Sequence, residues 1–298
     1  MAKLTVIFVN YNSTGQLEQA MFSLKQTVSG FCYETIVVDN ASGDRDVLKP
    51  VCKKFNARLV LLPRNIGYGA AANRGFRRAK GEYVAVANPD LLFLPGAVEA
   101  LVLFLDENPT AGVVGPQLVY PDGTFQPSAR RLPKLRYVLA GRRSPLVRLF
   151  PGYGLSREFL YADIYKENKP VMVEAIIGAF MVFRRKAFEE VGGFDEQFFM
   201  YAEDMDICRR LQRNGWRVYL EPRARVRHYY GAVRKKHQRF SEYQRLRALC
   251  MFFSLNRNSM FSAMITFAFA GYLFVLEAGA LIGLSEYEYS WRRRRDGS

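Results

Sequence analysis

The sequence predicts an α/β protein built on an open, mostly parallel sheet, and three observations carry that expectation. Short apolar runs at residues 4–9, 35–38, 58–62 and 83–87 alternate with segments of helical spacing, the pattern of βαβ units. Each run closes on polar residues: Asn10, Asp39, Arg64, and Asn88 with Asp90. Ligands of open α/β sheets bind in the crevice outside the carboxyl ends of the strands, so these groups are expected on one rim.

The elements follow in order. Residues 4–9 form a buried strand that ends in Asn10-Tyr11-Asn12-Ser13, and residues 14–28 a helix with Leu17, Ala20, Met21 and Leu24 on one stripe. The second strand, 35–38, runs into Asp39-Asn40-Ala41-Ser42-Gly43-Asp44. A short helix at 47–55 and a third strand at 58–62 lead to Pro63-Arg64-Asn65-Ile66-Gly67-Tyr68-Gly69 and a helix of small residues at 70–79. The fourth strand must stop after Ala87, because Pro89 cannot donate to a ladder and biases Asn88 toward an extended backbone. Asp90 is then placed to hold a hard divalent cation against a diphosphate, although an isolated Asn-Pro-Asp is equally a turn cap.

A helix is expected at 95–107, apolar pieces at 113–114 and 118–120, and a turn at Pro121-Asp122-Gly123. Residues 125–169 lose regularity, and a stretch of that length is functional or flexible. The apolar run at 171–184 is interrupted by Gly178-Ala179, and Phe198-Phe199-Met200-Tyr201 reads as core more readily than as a ligand platform. Glu203-Asp204-Met205-Asp206 opens a helix with Met205, Ile207, Cys208 and Leu211 on its apolar face, and Gly215 stops it. A strand at 216–220 is followed by a short basic segment and His228.

The chain has 298 residues, 49% hydrophobic and 14% aromatic, enough for a large core and against wholesale disorder. Its net charge of +15 is clustered. Residues 123–157 carry basic groups and no acid, residues 223–247 carry Glu242 as their one acid, and Arg292 to Arg295 form a third cluster. The acids gather around residues 189–206. A basic shell about an acidic centre suits an enzyme handling phosphates better than a nucleic-acid binder. Cys32, Cys52, Cys208 and Cys250 are widely spaced, without metal or redox spacing, and the first strand follows Met1-Ala2-Lys3 directly. Both features lead us to expect a reduced, cytoplasmic catalytic domain.

A set of motifs then adds a resemblance. Val9-Asn10-Tyr11-Asn12, Val37-Val38-Asp39-Asn40-Ala41-Ser42, Arg64-Asn65-Ile66-Gly67-Tyr68-Gly69 and Asn88-Pro89-Asp90 occur in order. They are followed by Gly178-Ala179 with Arg184-Arg185, Val191-Gly192-Gly193-Phe194-Asp195-Glu196 and Tyr201-Ala202-Glu203-Asp204-Met205-Asp206. Together, over residues 4–257, the chain resembles glycosyltransferase family 2, inverting enzymes of the GT-A fold, and within it the bacterial rhamnosyltransferase-like members. The resemblance implies a Rossmann-like nucleotide-binding sheet with a mixed C-terminal half, followed by a C-terminal apolar helical segment. Asp39 and the loop Asn10, Tyr11, Asn12 would contact the base and ribose, and Arg64 and Gly67 would lie along the nucleotide-sugar. Asn88-Pro89-Asp90 stands where the family has an Asp-x-Asp motif, with Asp90 a ligand to Mg²⁺ or Mn²⁺ and Asn88 replacing the first acid. Asp204, with Glu203 beside it, matches the catalytic base, and His228 falls where a second metal ligand is found. Taken without the family, Glu203 and Asp204 are also ordinary first-turn helix acids, Asp39 a turn former, and His228 a solvated residue of a basic run.

The implied chemistry is transfer from a nucleoside-diphosphate sugar, dTDP-rhamnose-like or a UDP-sugar, to a hydroxyl of a lipid-linked glycan in cell-surface polysaccharide synthesis. Two alternatives stay open: sugar-phosphate nucleotidyl transfer, and a non-catalytic basic protein of membranes or nucleic acid. The expected domains are 1–240, with a nucleotide-sugar half (1–124) and an acceptor half (125–240), and a membrane-associating 241–298. Residues 260–284 contain one charge, Glu277, and basic residues flank them on both sides. The length suffices to span a bilayer, while Glu277 argues for an interfacial hairpin or an oligomer interface. The cytoplasmic face of a membrane, with anionic lipid as a partner and no nucleic acid, is the expected location.

Overall fold

A computed structural model describes residues 2–134, 137, 158–161, 168–229, 238–255 and 271. The chain divides into two compact units, residues 1–235 and 236–298.

In the first unit β1 (Leu4–Asn10), β2 (Tyr33–Asp39), β3 (Arg58–Leu61) and β4 (Tyr83–Ala87) are joined by α1 (Thr14–Thr27), α2 (Arg45–Lys54) and α3 (Tyr68–Phe76). The four strands are parallel in the order β3-β2-β1-β4. Every residue of β1 is buried, because both faces of the sheet are covered by helices. Strand alternation divides its side chains between two cores. Leu4, Val6 and Phe8 pack with Leu17, Met21 and Leu24 of α1, whereas Ile7 and Val9 join Ala71 and Ala72 of α3. Truncating a side chain as enclosed as Phe8 costs about 3–5 kcal/mol, so the rim rests on a stiff base.

The chain continues through β5 (Leu91–Phe93), α4 (Ala97–Glu107), β6 (Ala111–Val119), β7 (Phe125–Gln126), β8 (Ala129–Arg130), β9 (Val171–Met172) and β10 (Ala175–Ile176). It then forms β11 (Phe180–Arg184), α5 (Arg185–Glu190), α6 (Glu203–Arg213) and β12 (Arg217–His228). These complete a ten-stranded sheet in the order β3-β2-β1-β4-β11-β6-β12-β5, with β7 on β6 and β9 on β12. β11 runs antiparallel to β4 and β6, and β12 antiparallel to β5, so the second half of the sheet is mixed. β8 and β10 make a separate antiparallel pair.

Several expected boundaries move. The apolar run at 171–184 is three short strands, and the described part of 125–169 contributes β7 and β8. The last strand extends to His228 instead of stopping at Leu220. Exposed Arg223 and Arg225 alternate there with buried Ala224, Val226 and His228, a period of two that a basic composition hides. Pro222 is accommodated at the register shift between Glu221 and Arg225. Glu221, wholly buried, takes both Nε and Nη2 of Arg223 at 2.9 and 2.7 Å.

In the second unit the described residues form α7 (Gln238–Ser254). Leu246, Ala248, Phe252 and Phe253 are buried, whereas Phe240, Tyr243 and Leu255 are exposed. The apolar stretch 260–284 lies outside the described residues apart from Gly271, and so does the expected C-terminal helical segment it would form. Among the described residues no helix is long and apolar enough to cross a membrane.

Candidate active site

The carboxyl ends of β1 and β2 build the first wall. Asn10, fully buried, gives its Nδ2 to Ser42 Oγ at 3.2 Å and approaches Asp39 Oδ1 at 3.4 Å. Asp39 is also fully buried, and its carboxylate is held by Arg45 Nε at 2.7 Å and the Ser42 backbone N–H. Arg45 in turn donates to the Leu62 carbonyl. Asn12, in a left-handed backbone, accepts the Gly43 N–H on Oδ1 at 2.7 Å, and Tyr11 stands exposed on the loop. The geometry makes Asp39 the organiser of this loop pair, with Tyr11 on its open side.

The second wall is the loop that enters α3. Asn40 clamps it, with Oδ1 accepting the Ile66 N–H at 2.9 Å and Nδ2 donating to the Gly67 carbonyl at 3.2 Å. Gly67 has φ +89, and a Cβ there would lie 2.4 Å from the Phe199 carbonyl oxygen. Only glycine fits, both for the left-handed backbone and for the close approach of residue 199. Arg64 is exposed at the outer end of this loop.

At the end of β4, Asn88 is fixed by its N–H to the Ala179 carbonyl at 2.9 Å, and Asp90 is half-buried. The pairing of β12 with β5 sets His228 opposite Leu91, and Tyr229 N–H reaches the Asp90 carbonyl at 2.9 Å. His228 Nε2 therefore lies 3.4 Å from Asp90 Oδ1. Its Nδ1 is 3.2 Å from Gln126 Oε1, a contact that suits the tautomer protonated at Nδ1. In that tautomer Nε2 presents its lone pair to Asp90 Oδ1, a buried oxygen with no hydrogen-bond partner. Two such donors facing each other fit a divalent cation between them. Among the described residues no group of three or more His, Cys, Asp or Glu could hold a metal, and this pair contributes two ligands. That suits a Mg²⁺- or Mn²⁺-like ion completed by phosphate oxygens and water.

The fourth component is the start of α6. Tyr201 and Ala202 both take left-handed backbones, at φ 70 and 63, and turn Glu203 and Asp204 inward, where both are buried. Asp204 accepts the Gly178 N–H on Oδ2 at 2.9 Å and its neighbour Met205 N–H on Oδ1 at 2.8 Å. Burial first, and then the charge of Asp204, pushes the Glu203 carboxyl up to about 8, with nearby Arg130 opposing. At neutral pH Glu203 therefore holds a proton. Asp206 turns away to hold Arg209 and Arg210 at 2.6 and 2.7 Å.

The structure thus ties Asp90 to His228 across β5 and β12, and Asn88 to Asp204 through residues 178 and 179, with Glu203 beside Asp204 and Gly67 against Phe199, while Asn10, Asn12 and Asp39 order the loops after β1 and β2. Three contributors had no assigned role in the sequence. Tyr68 and Gly178 lay inside recognised motifs, where the hydroxyl and the missing Cβ were the available signals. Gln126 lies in a stretch without pattern, and nothing in the sequence marks it as the partner of His228.

Comparison with known proteins bears on the family and the fold. The model of glycosyl transferase family 2 matches residues 5–192, and that of glycosyl transferase family group 2 matches 153–290. An N-acetylglucosaminyl-diphospho-decaprenol L-rhamnosyltransferase of Mycobacterium tuberculosis is 33% identical over 237 residues, 76% of each chain. The rhamnosyltransferase WbbL of Escherichia coli is 25% identical over 66% of this chain and 73% of its own. Among solved structures, the mannosyltransferase PcManGT of Pyrobaculum calidifontis, in complex with GDP-Man and Mn²⁺, superposes with a TM-score of 0.59 at 18% identity. It covers 97% of this chain and 83% of its own. GalNAc-T7 with UDP, GalNAc and Mn²⁺ gives 0.58 at 16% identity, over 77% and 44%. These two share the fold, the GT-A-like mixed sheet. From the family match and the mycobacterial relative together, the chain belongs to glycosyl transferase family 2.

Proposed function

We propose that the chain transfers a sugar, with inversion, from a nucleoside-diphosphate donor to a hydroxyl of a lipid-linked glycan in cell-surface polysaccharide synthesis. The carrying observation is that residues 178 and 179 tie the two carboxylate sites together: the Gly178 N–H donates to Asp204 Oδ2 at 2.9 Å, and the Ala179 carbonyl accepts the Asn88 N–H at 2.9 Å, two residues before Asp90. The acceptor oxygen attacks the anomeric carbon, the bond from that carbon to the diphosphate breaks, and the nucleoside diphosphate leaves. Asp204 takes the proton of the attacking hydroxyl. Its place in the first turn of α6 favours the charged form it needs. Asp90 and His228 would hold a divalent cation, which would supply Lewis-acid neutralisation of the leaving diphosphate.

The names of the relatives support dTDP-rhamnose as the first donor to test and a polyprenyl-diphosphate glycan as the acceptor class. In this scheme residues 1–124 hold the nucleotide-sugar, 125–240 form the acceptor side, and 241–298 associate with anionic lipid at the cytoplasmic face of the membrane. Release of nucleoside diphosphate from a panel of sugar donors, with acceptor and with or without Mn²⁺, tests the proposal. Acceptor-dependent release supports it. A product joined through a new nucleotide–phosphate bond would place the chain among nucleotidyltransferases instead.

A further inference from the structure

The segment Ile177-Gly178-Ala179, between β10 and β11, is held at every residue by a different part of the site. The Ile177 N–H donates to the Ser128 carbonyl at 2.8 Å, on the side of the loop that carries Gln126. The Gly178 N–H donates to Asp204 Oδ2 at 2.9 Å. The Gly178 carbonyl accepts the Tyr68 hydroxyl at 3.0 Å. The Ala179 carbonyl accepts the Asn88 N–H at 2.9 Å, two residues before Asp90. Tyr68 is itself the first residue of α3, and its N–H is tied to the Phe199 carbonyl at 3.0 Å, next to the left-handed turn that aims Asp204.

We propose that Tyr68 is a positioning residue for the base: its hydroxyl fixes the Gly178 carbonyl, and so restrains the backbone of residue 178, whose N–H in the preceding peptide aims Asp204 at the acceptor. This rests on the assignment of Asp204 as base. Tyr68 enters the site from the loop that faces the nucleotide-sugar, so one backbone segment ties the donor loop, the metal strand and the base together. Burial, and after it the charges of Glu203, Asp90 and Asp204, raise the Tyr68 hydroxyl well above its usual value, which keeps it a donor throughout the working pH range. A side chain on residue 178 would place its Cβ 3.2 Å from Asp204 Cβ, so the segment packs closely against the base.

The test is a cycle of Tyr68→Phe and Asp204→Asn in the full chain, with kcat, donor KM and thermal midpoint measured for each variant. A single neutral hydrogen bond is worth a factor of about 2–10, and Tyr68→Phe should lower kcat by that factor while donor KM stays put. In the Asp204→Asn background the same change should cost nothing further, because the group being aimed no longer takes the proton. Equal losses of kcat in both backgrounds would overturn the proposal and leave Asp204 as base. Unimpaired transfer by Asp204→Asn alone would overturn the base assignment and this inference with it. If Tyr68→Phe does not fold, Gly178→Ala approaches the same contact from the other side, where glycine has no left-handed backbone to protect. It should lower kcat with Asp204 present and be neutral when combined with Asp204→Asn, and equal losses would again overturn the proposal.

Discussion

Asp90 and His228 face each other at 3.4 Å across the end of the sheet, brought together by the antiparallel pairing of β12 with β5. The first residue was marked by its place at a strand end, the second only by family resemblance, and neither marks the other in the sequence. Their partnership depends on Gln126, which orients the imidazole from the opposite side.

The metal prediction follows from that arrangement. Asp90→Ala should abolish turnover without unfolding the chain, because Asp90 is a rim residue and not core. EDTA should reproduce the loss, and Mn²⁺ should restore it in the wild type alone. Gln126→Ala should weaken Mn²⁺ affinity by about 10–100-fold, the usual cost of losing the partner that orients a metal-binding imidazole. Titration of Mn²⁺ in the presence of nucleoside diphosphate measures both, and a rate indifferent to EDTA would refute the metal assignment.

Asp204→Asn preserves shape and removes proton affinity. General-base assistance is worth about 10²–10⁴-fold, so transfer should fall by that order while donor binding, measured by calorimetry, is retained. Burial, the larger cause of the raised Glu203 carboxyl, persists in that variant and opposes the ionised Glu203 that would have to take over. Asp195 is no substitute either, because both of its oxygens are engaged by Gln197 in the turn before α6.

Glu203 also makes stability depend on pH. Its carboxyl moves from 4.5 to about 8 on folding, chiefly through burial, so across that window the folded chain keeps a proton that the unfolded chain releases. Folding then binds a proton, and the Glu203 contribution becomes steadily less favourable as pH rises from 4.5 to about 8, then levels off. Glu203→Gln removes the titration. The difference in Tm, variant minus wild type, should therefore grow across this window, and a flat difference would show that Glu203 is ionised when folded.

Much of the fold and part of the site were legible, for physical reasons. Strands covered on both faces read as continuous apolar runs, so β1, β2 and β4 were plain, and their polar ends marked Asn10, Asp39 and Asp90. β12 was cut short because alternating arginines resemble a solvated loop, and β5, with three residues, is too short for periodicity to register. The inward turn of Asp204 was hidden as well, since it depends on left-handed backbones at Tyr201 and Ala202, which are neither glycine nor asparagine. The residue types near Asp204 were visible, but the Gly178 and Tyr68 contacts arise from pairings across more than a hundred residues of chain for Tyr68, which spacing cannot encode.

Gly67 offers a test of the wall between the two loops. Gly67→Ala forces a left-handed alanine, about 1–2 kcal/mol, and drives its Cβ into the Phe199 carbonyl. Residue 199 must then move, and Tyr68, bonded to it through the backbone, moves too. A Tm lowered by several degrees and a raised donor KM are expected. An unchanged Tm would mean that the close approach of Gly67 and Phe199 is absent in solution.

The last prediction concerns lipid. On α7 the exposed side chains include Phe240, Tyr243, Arg245 and Arg247, and exposed Leu255 follows the helix, an aromatic and basic set of the kind that sits at membrane interfaces. In sequence this helix leads directly to residues 260–284, which hold one charge, and then to Arg292 to Arg295. An acceptor carried on lipid presents its reactive end at the bilayer surface, so binding there would bring the site to its substrate. The full chain should therefore float with anionic phospholipid vesicles at low salt and bind neutral ones less. Each arginine near an anionic surface contributes about 1 kcal/mol, so Arg245→Glu with Arg247→Glu should weaken binding to anionic vesicles by at least tenfold. Phe240→Glu with Tyr243→Glu should reduce retention in 1 M salt, where the screening length is about 3 Å and only apolar contact holds. Full-length protein that stays in the supernatant with anionic vesicles at low salt would remove the membrane from the proposed function, and the acceptor would have to be met in solution.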